Sequence, residues 1–142
     1  PVEDSIPYVK RPWYMHKGQD DNLLVLQGTR YVDIYDPKKK EKASFVITPD
    51  KIYKNEKMYY DGPAMITWPA GIFHRIISGE EGSISVNLAT RTKKFNIEDN
   101  FNIYDLNVYS GEYRLLKDGS EDQPDLNYVY PSDNMLKLVK DK

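Results

Sequence analysis

The stretch "WPAGIFHRII", residues 68 to 77, sets Pro69, Gly71 and His74 in the spacing P-x-G-x-x-H, and one of the two histidines of the chain runs from there directly into Ile76 and Ile77. A Pro/Gly pair marks a chain reversal, and the β-branched run after it reads as a strand. Side chains alternate between the two faces of a strand, so His74, Ile76 and Ser78 share one face and Arg75 takes the other. A histidine on an isoleucine face is either a satisfied core residue or part of a pocket wall. The second histidine bears on that choice. His16 lies two residues beyond Tyr14 in "WYMHKGQDD" (13 to 21), so Tyr14 and His16 share a face of another extended segment. Spacing alone leaves both readings of His74 open.

Working outward, the punctuation is that of an all-β chain. "NLLVLQGTRYVDIYDP" (22 to 37) is a β-branched and aromatic run broken at Gly28-Thr29, and "ASFVITPDKIYK" (43 to 54) repeats the pattern around Pro49. "KMYYDGPAMITWPAG" (57 to 71) carries turns at Asp61-Gly62-Pro63 and at Pro69-Ala70-Gly71. "IFHRIISGEEGSISVNLATRT" (72 to 92) reads as two strands joined through "SGEEG", with Ile84, Val86 and Leu88 alternating against Ser83, Ser85, Asn87 and Ala89. Short strands between regular turn signals indicate a sandwich or barrel. From Asn96 the text turns polar, with "NVYSGEYRLLKDG" (107 to 119) reading as a hairpin that turns at Ser110-Gly111 and "NMLKLVK" (134 to 140) as a short terminal element.

The chain's 142 residues suit one domain. Twelve tyrosines and a 39% hydrophobic share give a globular composition. The net charge is −2 and the basic residues are dispersed apart from "KKKEK" (38 to 42), which reads as the cap of a solvated hairpin; neither a nucleic-acid nor an anionic-membrane partner is indicated. With no cysteine there are no disulfides, thiolate metal sites or cysteine nucleophiles. No secretory h-region and no long apolar run is present, which makes cytoplasmic the default expectation. Nucleophile-elbow, P-loop and dinucleotide motifs are absent.

Two larger patterns contain the histidines. The first is Tyr14-x-His16-x4-Asp21-x6-Gly28, and the second is Gly62-x6-Pro69-x-Gly71-x2-His74-x3-Ser78. They resemble the signature motifs of the cupin superfamily, H-x-H-x(3,4)-E-x6-G and G-x5-P-x-G-x2-H-x3-N, from Tyr14 to Asn87. Tyr14, Asp21 and Ser78 stand where that family has histidine, glutamate and asparagine. The resemblance implies a cupin jelly-roll β-barrel over residues 1–95, with motif side chains directed inward and a C-terminal extension, 96–142, packing on it.

Within such a barrel His16, Asp21 and His74 form a two-histidine, one-carboxylate set that suits Fe(II) and also accepts Zn, Mn or Ni, with Tyr14 or Gln19 near a fourth position. Tyrosine is a poor ligand until it loses a proton of pKa ~10. A metal-free reading stands beside the metal one: the site then resembles cupin-fold sugar-nucleotide epimerases and ketoisomerases, with His16 as base, Asp20 or Asp21 orienting it, and Tyr14 as acid. The catalytic candidates are thus Tyr14, His16 and His74, acting on a small metabolite. A non-catalytic ligand-binding domain that kept the barrel is the third reading. Arg11 and Lys17 read as solvated bases and the strand tyrosines as sheet packing. Open sheet edges must be covered, so residues 101–116 are expected to pair with the barrel and the segment "VEDSIPYVKRP" to pack across a two-fold partner in a homodimer.

Overall fold

The structure is a computed structural model that describes residues 12–122, and it is all-β, with no α-helix among those residues. Ten strands follow one another: β1 (Trp13–Met15), β2 (Gln19–Asp36), β3 (Glu41–Ile47), β4 (Lys51–Lys54), β5 (Lys57–Asp61), β6 (Ile66–Trp68), β7 (Phe73–Asn87), β8 (Thr90–Arg91), β9 (Ile103–Leu106) and β10 (Tyr113–Lys117). All pairings are antiparallel, in the order β10-β9-β1-β7-β2-β3-β4-β5, with β6 and β8 also on β2. The end strands β5 and β10 do not pair with each other, so the sheet is not closed. No helix among the described residues is long and apolar enough to cross a membrane. The segments 2–11 and 134–140, given roles above, lie outside the described residues.

The spine of the sheet is the long ladder between β2 and β7, which runs from Leu23↔Asn87 to Tyr35↔Phe73. Both strands break at one level. On β2 the register shifts between Val25 and Gln27 and again between Gly28 and Arg30, and opposite it residues 79–82 bulge out of β7. "SGEEG" is therefore a bulge within one strand; its two halves continue along the same partner and do not turn back on each other. Extra residues in a strand flip the faces that follow. On the first half of β2 the inward residues are Asp21, Leu23 and Val25; past the break Val32 is buried on that side and Tyr35 on the other. On β7 His74 is buried before the bulge, whereas Ile84, Val86 and Leu88 beyond it are exposed. The alternation there marks a strand, yet its apolar set points to solvent.

Two apolar clusters sit on opposite faces. One is built from Leu23, Val25, Val32, Phe45, Ile47, Ile52 and Trp68, the other from Trp13, Met15, Tyr35, Phe73, Tyr104 and Leu106. The second exists because β9 pairs with β1, Trp13 opposite Tyr104, and β10 with β9. This hairpin turns over residues 107–112, where Gly111 takes φ +79° and the Asn107 N–H donates to the Glu112 carbonyl. The "KKKEK" run closes the β2–β3 hairpin, with Asp36 accepting from the Lys38 N–H.

Gly28 carries the break. Its φ is +71°, and a Cβ there would overlap the Gly82 carbonyl oxygen across the ladder. Gly71 also has a positive φ, +85°, but a Cβ there meets nothing within 4 Å. Gly71→Ala is expected to cost about 1 kcal/mol through backbone strain, and Gly28→Ala at least about 1–2 kcal/mol more, because it adds a clash with backbone. Urea unfolding midpoints of the two variants check this; equal costs would mean that the bulge yields freely.

Candidate metal centre

Three strands deliver one side chain each. His16 follows β1, Asp21 lies near the start of β2, and His74 is the second residue of β7, set in register opposite Tyr14. The Pro69–Gly71 turn is fastened to the first two segments: the Gly71 N–H donates to the His16 carbonyl at 2.8 Å, and the Ala70 N–H to Asp20 Oδ1 at 2.7 Å. Asp20 thus holds the turn, and Asp21, on the other face of β2, turns toward the histidines.

Asp21 is 1% exposed, and His16 and His74 are 7% and 6% exposed. Its Oδ2 lies 3.3 Å from His16 Nε2 and 3.6 Å from His74 Nε2, and one ligand atom from each of the three residues falls within 4.8 Å of the others. Its Oδ1 accepts from Gln19 Nε2 at 3.0 Å and from Asn87 Nδ2 at 2.8 Å. Gln19 Oε1 in turn accepts from Asn100 Nδ2 at 3.2 Å. Each amide is oriented by the acceptor it serves.

The far nitrogens fix the tautomers. His16 Nδ1 bonds the Asn100 backbone carbonyl and His74 Nδ1 the Ile72 backbone carbonyl at 3.3 Å. A carbonyl oxygen only accepts, so both Nδ1 atoms carry a proton and the two Nε2 atoms are the ones turned to Asp21; the neutral His74 ring presents its Nε2 lone pair there. Two imidazole Nε2 atoms and a carboxylate oxygen converge. This group can hold a metal ion: the donor set is that of transition-metal sites, and backbone carbonyls behind the imidazoles are the usual outer support.

Rings close the site. His16 and His74 have centroids 4.8 Å apart, Trp68 lies 5.3 Å from His74, and Tyr14 stacks on His74 at 6.1 Å with 24° between planes. Phe101 approaches His16 edge-on at 6.1 Å. Burial, and then the neighbouring His16, lower the His74 pKa from 6.5 to about 4, against the Asp21 charge, which raises it.

Of the residues singled out in the sequence, His16, Asp21 and His74 come together and Tyr14 covers His74. Gln19 serves the carboxylate through its amide. Ser78 keeps the face of His74, in register opposite Arg30, but it is exposed at the edge of the bulge, shares a hydrogen bond with Ser83 across it and takes no part in the centre. Arg75 faces away, on Asp33 at 2.7 Å and over Trp13, and Lys17 pairs with Asp99 at 3.0 Å; Arg11 lies outside the described residues. Asn87 and Asn100 escaped the sequence reading. Asn87 gave the one available signal, a polar residue ending the Ser83, Ser85 series, whereas Asn100 acts partly through its backbone. No protein-family model matches this chain, and no curated protein or solved structure matches it either.

The depressed pKa of His74 gives a sign. The unfolded chain takes up a proton near pH 6.5 and the folded, metal-free protein only near pH 4. Between those values the unfolded state binds more protons, so stability present above pH 6.5 is lost on acidification and the loss ends near pH 4, with a total on the order of 3 kcal/mol. Urea unfolding of the metal-free protein across that range measures it, and His74→Gln should flatten the slope. A slope unchanged in that variant would assign the effect elsewhere.

Proposed function

We propose that this chain is a cupin-like jelly-roll domain that holds one divalent cation, Fe, Mn, Ni or Zn, on His16, Asp21 and His74, and binds or transforms a small metabolite at that site. The observation that carries the reading is the convergence of two imidazole Nε2 atoms and Asp21 Oδ2 in a buried site. The barrel reading is supported by the curl of the sheet: β2 pairs with β6 along its first half and with β3 along its second, around Leu23, Val25, Val32 and Phe45. When bound, the cation supplies Lewis acidity and open coordination positions for substrate or dioxygen. The protein's own part is to keep the His74 imidazole neutral, hold Asp21 by its other oxygen, and exclude water with Trp68, Tyr14 and Phe101.

The metal-free isomerase reading has less to draw on. A general base needs a nitrogen that a substrate proton can reach. Both ring nitrogens of His16 and both of His74 already face protein acceptors.

Purified metal-free protein is expected to take up one equivalent of Zn(II) or Co(II), followed by calorimetry and, for Co(II), by its d–d absorption. His16→Ala, His74→Ala and Asp21→Asn should abolish stoichiometric uptake. Asn87→Ala, which removes one of the two amides that hold Asp21 Oδ1, should weaken uptake about 10–100-fold. Absence of uptake by the native protein, or equal uptake by the His74→Ala variant, removes the reading. The same proposal includes a two-fold dimer: every residue of the edge strand β5 is exposed, and an open edge invites pairing. Light scattering should give twice 16.6 kDa, and a single-chain mass at micromolar protein would refute it.

A further inference from the structure

His16, Asp21 and His74 are all buried, so a cation reaches them only when a wall of the site moves. Most of the walls belong to the sheet. Tyr14 stands in β1, paired with β7 on one side and with β9 on the other, and Trp68 stands in β6, paired with β2 and packed in an apolar cluster. The Pro69–Gly71 turn is bonded to the His16 carbonyl and to Asp20. To move any of these is to break ladder or turn hydrogen bonds.

The wall beside His16 is built differently. Residues 93–101 contain no strand and no helix. They hang between two fixed points. At one end Thr92 gives its N–H and its hydroxyl to the Gly18 carbonyl, at 2.8 and 3.2 Å, and at the other Asn102 Oδ1 accepts from the Gly119 N–H at 2.7 Å. Of the residues between, Asn100 alone is buried, while Lys93, Lys94, Asn96, Glu98 and Phe101 are exposed. A stretch with so little buried surface opens far more readily than a core strand.

This stretch rests on residues 16–19. Lys17 Nζ pairs with Asp99 Oδ2 at 3.0 Å on the surface, Asn100 Nδ2 donates to Gln19 Oε1 at 3.2 Å, and the Asn100 carbonyl accepts from His16 Nδ1. Phe101 lies edge-on to His16. The chain at 94–95 is pressed so closely on Gly18 that a Cβ there would overlap the Phe95 backbone nitrogen. Lifting residues 93–101 breaks these contacts and leaves every ladder intact.

We propose that residues 93–101 are the gate of the metal centre, latched by Lys17 and Asp99, and that Asn100 is a positioning residue carried on it. The gate lifts from Gly18 to admit the cation. On closing it sets the Asn100 carbonyl behind His16, and an imidazole held in that way is the better ligand. The latch is made whether the closed site is empty or loaded, so it governs the rate of opening and leaves the affinity alone. The inference rests on the metal reading above.

The test follows Co(II) uptake and release by the full chain in stopped-flow absorption, with affinity from titration. Lys17→Met and Asp99→Asn each remove the latch and should speed uptake and release together by about two- to five-fold, with the affinity unchanged. The two variants alter the local charge in opposite directions. Acceleration in both therefore reports the latch, whereas uptake faster in one and slower in the other reports charge alone and overturns the gate. Gly18→Ala pushes a methyl group against the backbone at 94–95 and holds the gate ajar. Its rates should rise further, and its affinity should fall about 10–100-fold as His16 loses the carbonyl; the two latch variants decide the matter should it fail to fold. Unchanged rates in both latch variants also overturn the gate and leave the metal reading standing. A native chain that takes up no Co(II) sinks the metal reading, and the gate with it.

Discussion

A carboxylate taken out of water has to be met by charge or by hydrogen bonds, and Asp21 is the residue on which this constraint falls hardest. Its Oδ1 is satisfied by two amides, Gln19 and Asn87, and its Oδ2 faces two imidazoles. Those four partners come from the approach to β2, from both ends of β7 and from the end of β1. Folding the sheet is what assembles them, and no local segment satisfies Asp21 alone. Asn100 extends the network into the C-terminal part of the chain, through its amide to Gln19 and its carbonyl to His16. The region after residue 96 is thereby part of the site as well as a cover for β1.

The β2–β7 ladder makes this assembly possible because it changes face midway. Without the flip at Gly28 and the bulge at 79–82, the alternation that directs Asp21, Leu23 and Val25 inward would carry Tyr31 and Asp33 inward in place of Val32. In the observed register Val32, Ile34 and His74 share the inner face, and Tyr35, Phe73, Arg75 and Asp33 serve the other. One irregularity in each strand therefore sets both the polar centre and the second apolar cluster. The cost appears at the far end of β7, where Ile84, Val86 and Leu88 are left at the surface.

Much of this was legible in the sequence because it rests on short-range chemistry. Pro69 and Gly71 before a β-branched run announced the turn, and spacing by two put Tyr14 with His16 and Arg75 opposite His74. Asp36-Pro37 and Ser110-Gly111 marked hairpins that the chain does make. Long-range register was not legible. "SGEEG" has the composition of a turn, and only the partner strand decides that it is a bulge. Period-two counting placed Ser78 on the face of His74 and the register agrees, but it could not show that Ser78 lies exposed at the bulge, away from the centre. Asn87 and Asn100 lie 66 and 84 residues from the side chains they serve, so no local pattern links them to the centre.

The polar centre is hard to account for as a device of stability. Buried ionisable groups replaced by well-packed apolar residues of similar size often leave a protein equally or more stable. Here an open antiparallel sheet with two apolar clusters of its own keeps His16, Gln19, Asp21, His74 and Asn100 buried. Burial also holds His74 neutral well below the ordinary range of an imidazole, so a proton on that ring is a poor source of the missing positive charge at neutral pH. Each Nδ1 proton is committed to a backbone carbonyl that cannot give one back. The His74 Nε2 lone pair is therefore kept toward Asp21 by the fold itself, at a cost to folding that a bound cation would offset. Such a conflict between local stability and global fold is what a binding site looks like before its ligand is counted.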